Sequence, residues 1–281
     1  MSEPGDRPTW ASVIGWPALV VGLLLAGVNL VGLALPLRAD AVRGDRADLS
    51  GPRILDPADA FAQLARLDPS DRERFALEAT RIVGGAVWAA DGGRAWPADD
   101  PRLVEYHYAM PAWDNWIFFV LRYLHPSAYR YYHVCDWRRA LERGVGGCEQ
   151  QDMALVGFLR ERGYRTGIVD LYRHTVALAE TAPGRWIVLD PGFGIGIPHT
   201  LDELTADRAL LEGYYAHQPG FPLWDIYTKE RPQVNYGGPE IRYPRACLIE
   251  RWAYVAKWVV PLVLLLMGAW LLIMPRVGRS R

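Results

Sequence analysis

Lysine is almost missing from this chain. Lys229 and Lys257 are the only two among 31 basic residues, which face 32 acidic ones and leave a net charge of −1. With no positive excess there is no electrostatic footprint for a polyanion, and nucleic acid is excluded as a partner on that ground. Cysteine is equally sparse: Cys135, Cys148 and Cys247 are three in all, too few for a disulfide framework, so at least one thiol is left over. No Cys-x-x-Cys or His-x-x-x-His spacing occurs. The pair His133 and Cys135 therefore has no companion ligands, and neither a metal nor any other cofactor is expected. Internal repeats and low-complexity stretches are also lacking. Arginine in place of lysine fits a GC-rich, bacterial coding sequence.

Charge is absent from two long runs near the ends. None of the residues from Pro8 to Leu37 is charged, and 13–36 is long and apolar enough to cross a bilayer. A second uncharged run, Trp258 to Pro275, is flanked by Trp252, Tyr254 and Lys257 on one side and by Arg276, Arg279 and Arg281 on the other. Aromatic and cationic rims of this kind mark a membrane span over 254–275. The alternative for the first run is a cleaved signal peptide with Ala39-Asp40-Ala41 as its cleavage site, but the run lacks a basic start and exceeds a signal core. The expected order is a tail over 1–12, a span, a linker over 37–57 rich in arginine, aspartate, glycine and proline, a folded domain over 58–250, a second span and a basic tail over 276–281. Counting arginines beside the spans favours a cytoplasmic middle, whereas the basic C-terminal tail favours an exported one; the reading adopted is a two-span membrane protein with an extracytoplasmic domain.

The middle has what the ends lack. Ala58 to Leu67 has helical spacing, and Ser70 with Glu73 forms a capping-box pattern for a helix reaching Val87. Asp91 to Pro101 reads as a loop. The aromatic stretch around Trp113, Trp116, Phe118 and Phe119 reads as core. From Cys148 a helix of about four turns runs to Gly163, placed as a C-terminal cap. Strands follow over 164–171, 174–180 and 185–190, with Thr181 to Gly184 as the last turn. Helices followed by antiparallel strands predict an α+β fold.

Cysteine 148 stands after a glycine-rich turn, R-G-V-G-G-C-E-Q-Q-D, at the first turn of its helix. Free N–H groups and the positive helix end stabilise a thiolate there. Gly147 allows close approach of a substrate carbonyl, and the same N–H groups, with Gln150 or Gln151, are oxyanion candidates, although both glutamines are as readily first-turn helix residues. A thiolate needs a base and the base an orienting group. His174 opens one strand and Asp190 ends the next, so hairpin pairing makes them neighbours. Asp190 has a second reading, as a turn aspartate before proline. Cys135 and Cys247 can pair only if the domain is exported.

The blocks R-A-L-E-R-G-V-G-G-C-E-Q-Q, H-T-V-A-L-A-E and W-I-V-L-D-P-G-F-G resemble the bacterial transglutaminase-like members of the papain superfamily over 136–197. The resemblance implies a papain-like core and a catalytic set of Cys148 as nucleophile, His174 as its base and Asp190 as orienting acid. It further implies acyl transfer on amide bonds of a protein or peptide substrate, as a cysteine peptidase, an amidase or a transglutaminase. Thr175-Val176 after the histidine and Pro191-Gly192 after the aspartate depart from the usual pattern. The competing reading is a non-catalytic membrane assembly protein that keeps the fold.

Overall fold

A computed structural model of the chain describes residues 10–38, 55–89, 110–129, 132–216 and 222–277. The expected loop over 91–101 and most of the expected linker, 39–54, lie outside them. Along the chain run α1 (Trp10–Gly32), α2 (Pro57–Ala65), α3 (Arg72–Ala86), β1 (Trp88–Ala89), α4 (Ala112–Leu124), α5 (Pro126–Tyr129), α6 (Trp137–Arg143), β2 (Val145–Gly146), α7 (Cys148–Glu161), β3 (Thr166–Leu171), β4 (His174–Ala182), β5 (Arg185–Asp190), β6 (Ile195–Ile197), α8 (Leu201–Ala206), α9 (Arg208–Tyr214), α10 (Leu223–Thr228), β7 (Gln233–Tyr236), α11 (Pro239–Arg242) and α12 (Pro244–Val277). The residues form two compact units, 37–109 with 131–250, and 1–36 with 110–130 and 251–281.

The larger unit is α+β. Its five-stranded sheet has the order β6-β5-β4-β3-β7, antiparallel throughout. Side chains alternate across a strand, and here both faces are covered. Ile168, Ala177, Ala179, Ile187 and Leu189 pack with residues of α2, α3, α6 and α7. Val169, Leu171, Val176, Leu178, Val188 and Ile197 pack with Leu204, Leu211, Tyr215, Ile226 and Tyr227 from the α8–α10 region. Burial on both faces is why these strands read as nearly continuous apolar runs. The central strand β4 continues two residues past the expected end, to Ala182, through an irregularity between Glu180 and Ala182.

Two local expectations are corrected. The capping box does not form: Asp71 is the N-cap of α3 and accepts from the Arg74 N–H at 3.0 Å, the Ser70 N–H is taken by Asp68 at 2.9 Å, and Glu73 pairs with Arg185 at 3.0 Å. A carboxylate one residue later is a stronger acceptor for the free helix N–H groups than the serine hydroxyl. The linker also ends earlier than expected. Asp56 caps α2, accepting from the Ala58 N–H at 2.9 Å, and Pro57 occupies its first turn. Arg38 is buried, donating to the carbonyls of Leu55 at 2.6 Å, Ala86 at 2.8 Å and Leu141 at 2.9 Å. Its guanidinium fills the space beside Gly144, whose φ of 67° closes α6; a side chain there would be strained and would strike Arg38.

In the smaller unit α1 and α12 are both long and apolar enough to cross a membrane. They pack antiparallel: Gly15 meets Leu272, Gly22 meets Leu265, and the buried Asn29 donates to the Lys257 carbonyl at 2.5 Å. Small residues let the two backbones approach closely. The first helix begins at Trp10 and ends at Gly32, three residues before the expected start and four before the expected end of the span; the second begins at Pro244, ten residues early. The expected domain of 58–250 is thus interrupted, because 110–130 groups with the two apolar helices.

Candidate active site

The site is built where β4 starts, β5 ends and α7 begins. Cys148 is the first residue of α7, directly after its N-cap Gly147. The first N–H groups of a helix have no acceptor within it, so the Cys148 side chain stands at a concentration of free donors. Cys148 is the free cysteine among the described residues and is partly exposed.

His174 and Asp190 lie on the same sheet face as Val176 and Val188, by strand alternation and the β4–β5 register. His174 Nε2 meets Asp190 Oδ2 at 2.9 Å. That contact leaves Nδ1 as the nitrogen available to the thiol. Burial by itself would strip the imidazole of its proton, yet the Asp190 charge and hydrogen bond, together with Cys148 as a further hydrogen-bond and charge partner, hold the His174 pKa well above its ordinary value. His174 and Asp190 are thus paired, and Cys148 is near enough to act on His174.

Asp190 is fully buried, and its partners account for that. Oδ2 also accepts from the Tyr215 hydroxyl at 2.7 Å, and Oδ1 from the Phe193 N–H at 3.3 Å. The Tyr215 and Tyr227 oxygens are 2.9 Å apart. A hydroxyl has one proton to give; since Tyr215 gives its proton to Asp190, Tyr227 is the donor between the two tyrosines. Burial first, and the Asp190 charge second, push both tyrosine pKa values well upward, so both remain donors across the ordinary pH range. The ring of Phe193 stands edge-on to His174, with centroids 5.5 Å apart, and to Tyr215 at 5.4 Å. A Cβ on Gly192 would lie 3.0 Å from Asp190 Oδ1 and 3.3 Å from His174 Cε1. Glycine after Pro191 is thus what lets the turn close over the pair.

The glutamines have other employment. Gln150 accepts from the Val134 N–H at 2.6 Å and donates to the Val134 carbonyl at 2.9 Å. A Cβ on Gly146 would collide with its side chain. Gln151 donates to the Val87 carbonyl at 2.5 Å. Both carboxamides tie neighbouring backbone to α7.

Asp152, one turn beyond Cys148, is fully buried. Neither carboxyl oxygen completes a well-formed hydrogen bond among the described residues, and the Thr175 hydroxyl is only a looser neighbour. Burial first, then the Cys148 charge, push its pKa well upward against the opposing influence of Thr175 and His174. Glu149 is partly buried between His133, 3.2 Å away, and Arg242 at 2.8 Å. Burial would raise its pKa; hydrogen bonds and charge interactions with His133 and Arg242 outweigh burial and lower it. Arg242 also holds Asp170 and Tyr243 stays on Glu149, so α11 is fastened beside the start of α7.

Residues 132–136 form a strap alongside. Cys135 is joined to Cys247 by a disulfide across 112 residues of sequence. The Glu250 carboxylate accepts from the Tyr132 hydroxyl at 2.9 Å, the Cys135 N–H at 2.8 Å and the Asp136 N–H at 3.2 Å. Val134, in the middle, is held by Gln150. His133 and Cys135 thus have partners of their own.

Tyr215, Tyr227, Asp152 and Gly192 were not legible as site residues. The tyrosines come from helical segments 25 and 37 residues beyond Asp190 with no motif around them. Gly192 alone had a signal, in its place within D-P-G-F-G. No protein family, curated protein or solved structure matches the chain.

Proposed function

We propose that this chain is a membrane-anchored thiol acyl-transfer enzyme of transglutaminase-like type, with a papain-like core, acting on amide bonds of a protein or peptide substrate. The observation that carries the reading is the buried His174–Asp190 hydrogen bond beside a helix that opens with the free Cys148. Cys148 sulfur attacks the amide carbonyl carbon, and the oxyanion is received by the first N–H groups of α7. As the C–N bond breaks, His174 gives its proton to the departing amine, leaving a thioester on Cys148. Water then attacks the thioester, its proton passing to His174, and the acid leaves with the thiol restored. An amine in place of water makes the same step a transamidation.

The chain is anchored by α1 and α12, whose antiparallel packing supports tails on one side of the bilayer. The Cys135–Cys247 disulfide supports an oxidising compartment, and so an extracytoplasmic domain.

Alkylation with iodoacetamide across pH, read by mass spectrometry on the full-length protein, tests the proposal. Cys148 should react rapidly at mildly acidic pH, and His174→Ala should slow it to the rate of a free thiol. Equal rates for the two proteins, matching a small-molecule thiol, would return the chain to the class of non-catalytic assembly proteins.

A further inference from the structure

The helix α4 buries Phe118 and, beside it, two polar residues, while other apolar side chains face outward. Asp114 and Asn115 are buried at 3% and 0% exposure, while Tyr123 and Leu124 are 64% and 66% exposed, with Val120 and Trp113 partly so. In a water-facing helix the polar residues point outward. The same inversion holds in α1, where Gly15, Gly22 and Asn29 are buried and Leu23, Leu24 and Leu30 are exposed. Helices whose outer surface is apolar and whose inner contacts are small or polar are those whose solvent is lipid.

The inner side of α4 is fixed to one end of the α1–α12 pair. Trp113 donates its indole N–H to the Pro36 carbonyl at 3.4 Å, and Trp116 to the Lys257 carbonyl at 3.3 Å. Lys257 donates to the Asp114 carbonyl at 2.6 Å, and Tyr254 to the Asp114 carboxylate at 2.8 Å. Asn115 leaves helical geometry, with φ −152° and ψ 99°, and its side-chain oxygen recaps the helix by accepting from the Ile117 and Phe118 N–H groups at 3.1 and 3.4 Å. Most polar groups at this junction are taken up internally, as a site poor in water demands, with Asn115 Nδ2 left without a partner among the described residues. Lys257 directly precedes the uncharged run and Pro36 closes the first one, so the attachment is at the rim of both spans. Trp113, Trp116 and Tyr123 are the side chains that favour this level.

We propose that α4 is an interfacial helix, lying at the bilayer's headgroup boundary with Val120, Tyr123 and Leu124 toward the acyl chains. The membrane would then hold this protein by three elements, the third arising within the stretch that connects α3 to α6. The inference rests on the reading of α1 and α12 as membrane spans.

The test uses full-length protein with Cys148→Ala, carrying one new cysteine labelled with an environment-sensitive nitrobenzoxadiazole dye and reconstituted in phosphatidylcholine vesicles. Labels go at Leu124 or, as a second chance at folding, Val120; Leu24 in α1 serves as span control and Arg74 as water control. Lipids spin-labelled near the headgroup or deep in the acyl chain, and aqueous iodide, are the quenchers. The expected result is loss of α4 signal to the shallow spin label, little loss to iodide, and loss of the Leu24 signal to the deep one. Iodide quenching of α4 equal to that at Arg74 overturns the proposal. So does protection from every quencher, which would mean a second copy or the catalytic domain covers this face. If the Leu24 label ignores both spin-labelled lipids, the spans themselves fail and α4 falls with them.

Discussion

Tyr215 shares with His174 a single oxygen of Asp190: its hydroxyl is 2.7 Å from Oδ2, which His174 Nε2 meets at 2.9 Å. The carboxylate that orients the imidazole is itself held by a phenol whose own oxygen is held by Tyr227.

Tyr215→Phe should therefore act through Asp190. Removing a hydrogen bond to a buried carboxylate costs roughly 1.5–3 kcal/mol. The oxygen no longer shared pulls harder on the imidazolium, so the alkaline limb of the activity profile should move upward, by up to about one pH unit. Tyr227→Phe, one bond further away, should move it less. A purely structural pair would lower the melting temperature and leave the pH profile where it was.

Within the proposed triad, Cys148→Ala should abolish turnover with folding and membrane attachment unchanged. His174→Ala should be about as inactive. Asp190→Asn should be milder, since the amide oxygen can still accept from Nε2 while the charge is lost. Because Asp190 keeps His174 raised, its Asn variant should lose activity at lower pH on the alkaline side. Turnover and alkylation measured from acid to alkaline pH decide the order; equal inactivity of Asp190→Asn and His174→Ala would make Asp190 a folding residue.

Asp152 should hold its proton to higher pH than an exposed carboxyl does. Its folded pKa is raised above 3.8, so the folded state binds its proton more tightly than the unfolded state does. Stability from this group is fully present below about pH 3.8 and is lost as pH rises through the folded value. Asp152→Asn, which resembles the protonated carboxyl, should gain on wild type as pH rises across that window. Thermal unfolding from pH 5 to pH 8 reads this difference; a variant that instead weakens progressively with pH shows an ionised Asp152.

The strap has two fastenings. Cys135→Ser with Cys247→Ser should lower stability by about 2–4 kcal/mol, yet leave the strap seated, because Glu250 and Gln150 still hold its backbone. Glu250→Ala removes three accepted hydrogen bonds and should slow Cys148 alkylation more than reduction of the disulfide does. Should reduction alone halt alkylation, the disulfide is the main fastening.

Reporters fused at residue 50 and at the C-terminus should lie on opposite sides of the membrane, with the Cys135–Cys247 bond oxidised in cells. Reporters on the same side would mean that the first run is cleaved or that one run does not span.

Sequence alone determined the features that depend on local chemistry. Two uncharged runs define α1 and the apolar part of α12, because the length and apolarity of a helix are read directly from its residues. The hairpin closing at Gly184 brings the start of β4 to the end of β5, and the glycines before Cys148 marked the helix start; the irregularity between Glu180 and Ala182, which shifts the register by one residue, is what sets His174 and Asp190 on one face. Only the tertiary structure decided what lies far apart in sequence: Tyr215 reaching Asp190 from the end of α9 with Tyr227 behind it on α10, Arg38 joining three carbonyls, Gln150 turned to Val134, and Asp152 buried without a firm partner. In the aromatic stretch around Trp116, Phe118 is buried as expected while Trp113 is partly exposed, because which side of a helix faces inward depends on what packs against it, and composition alone does not record that.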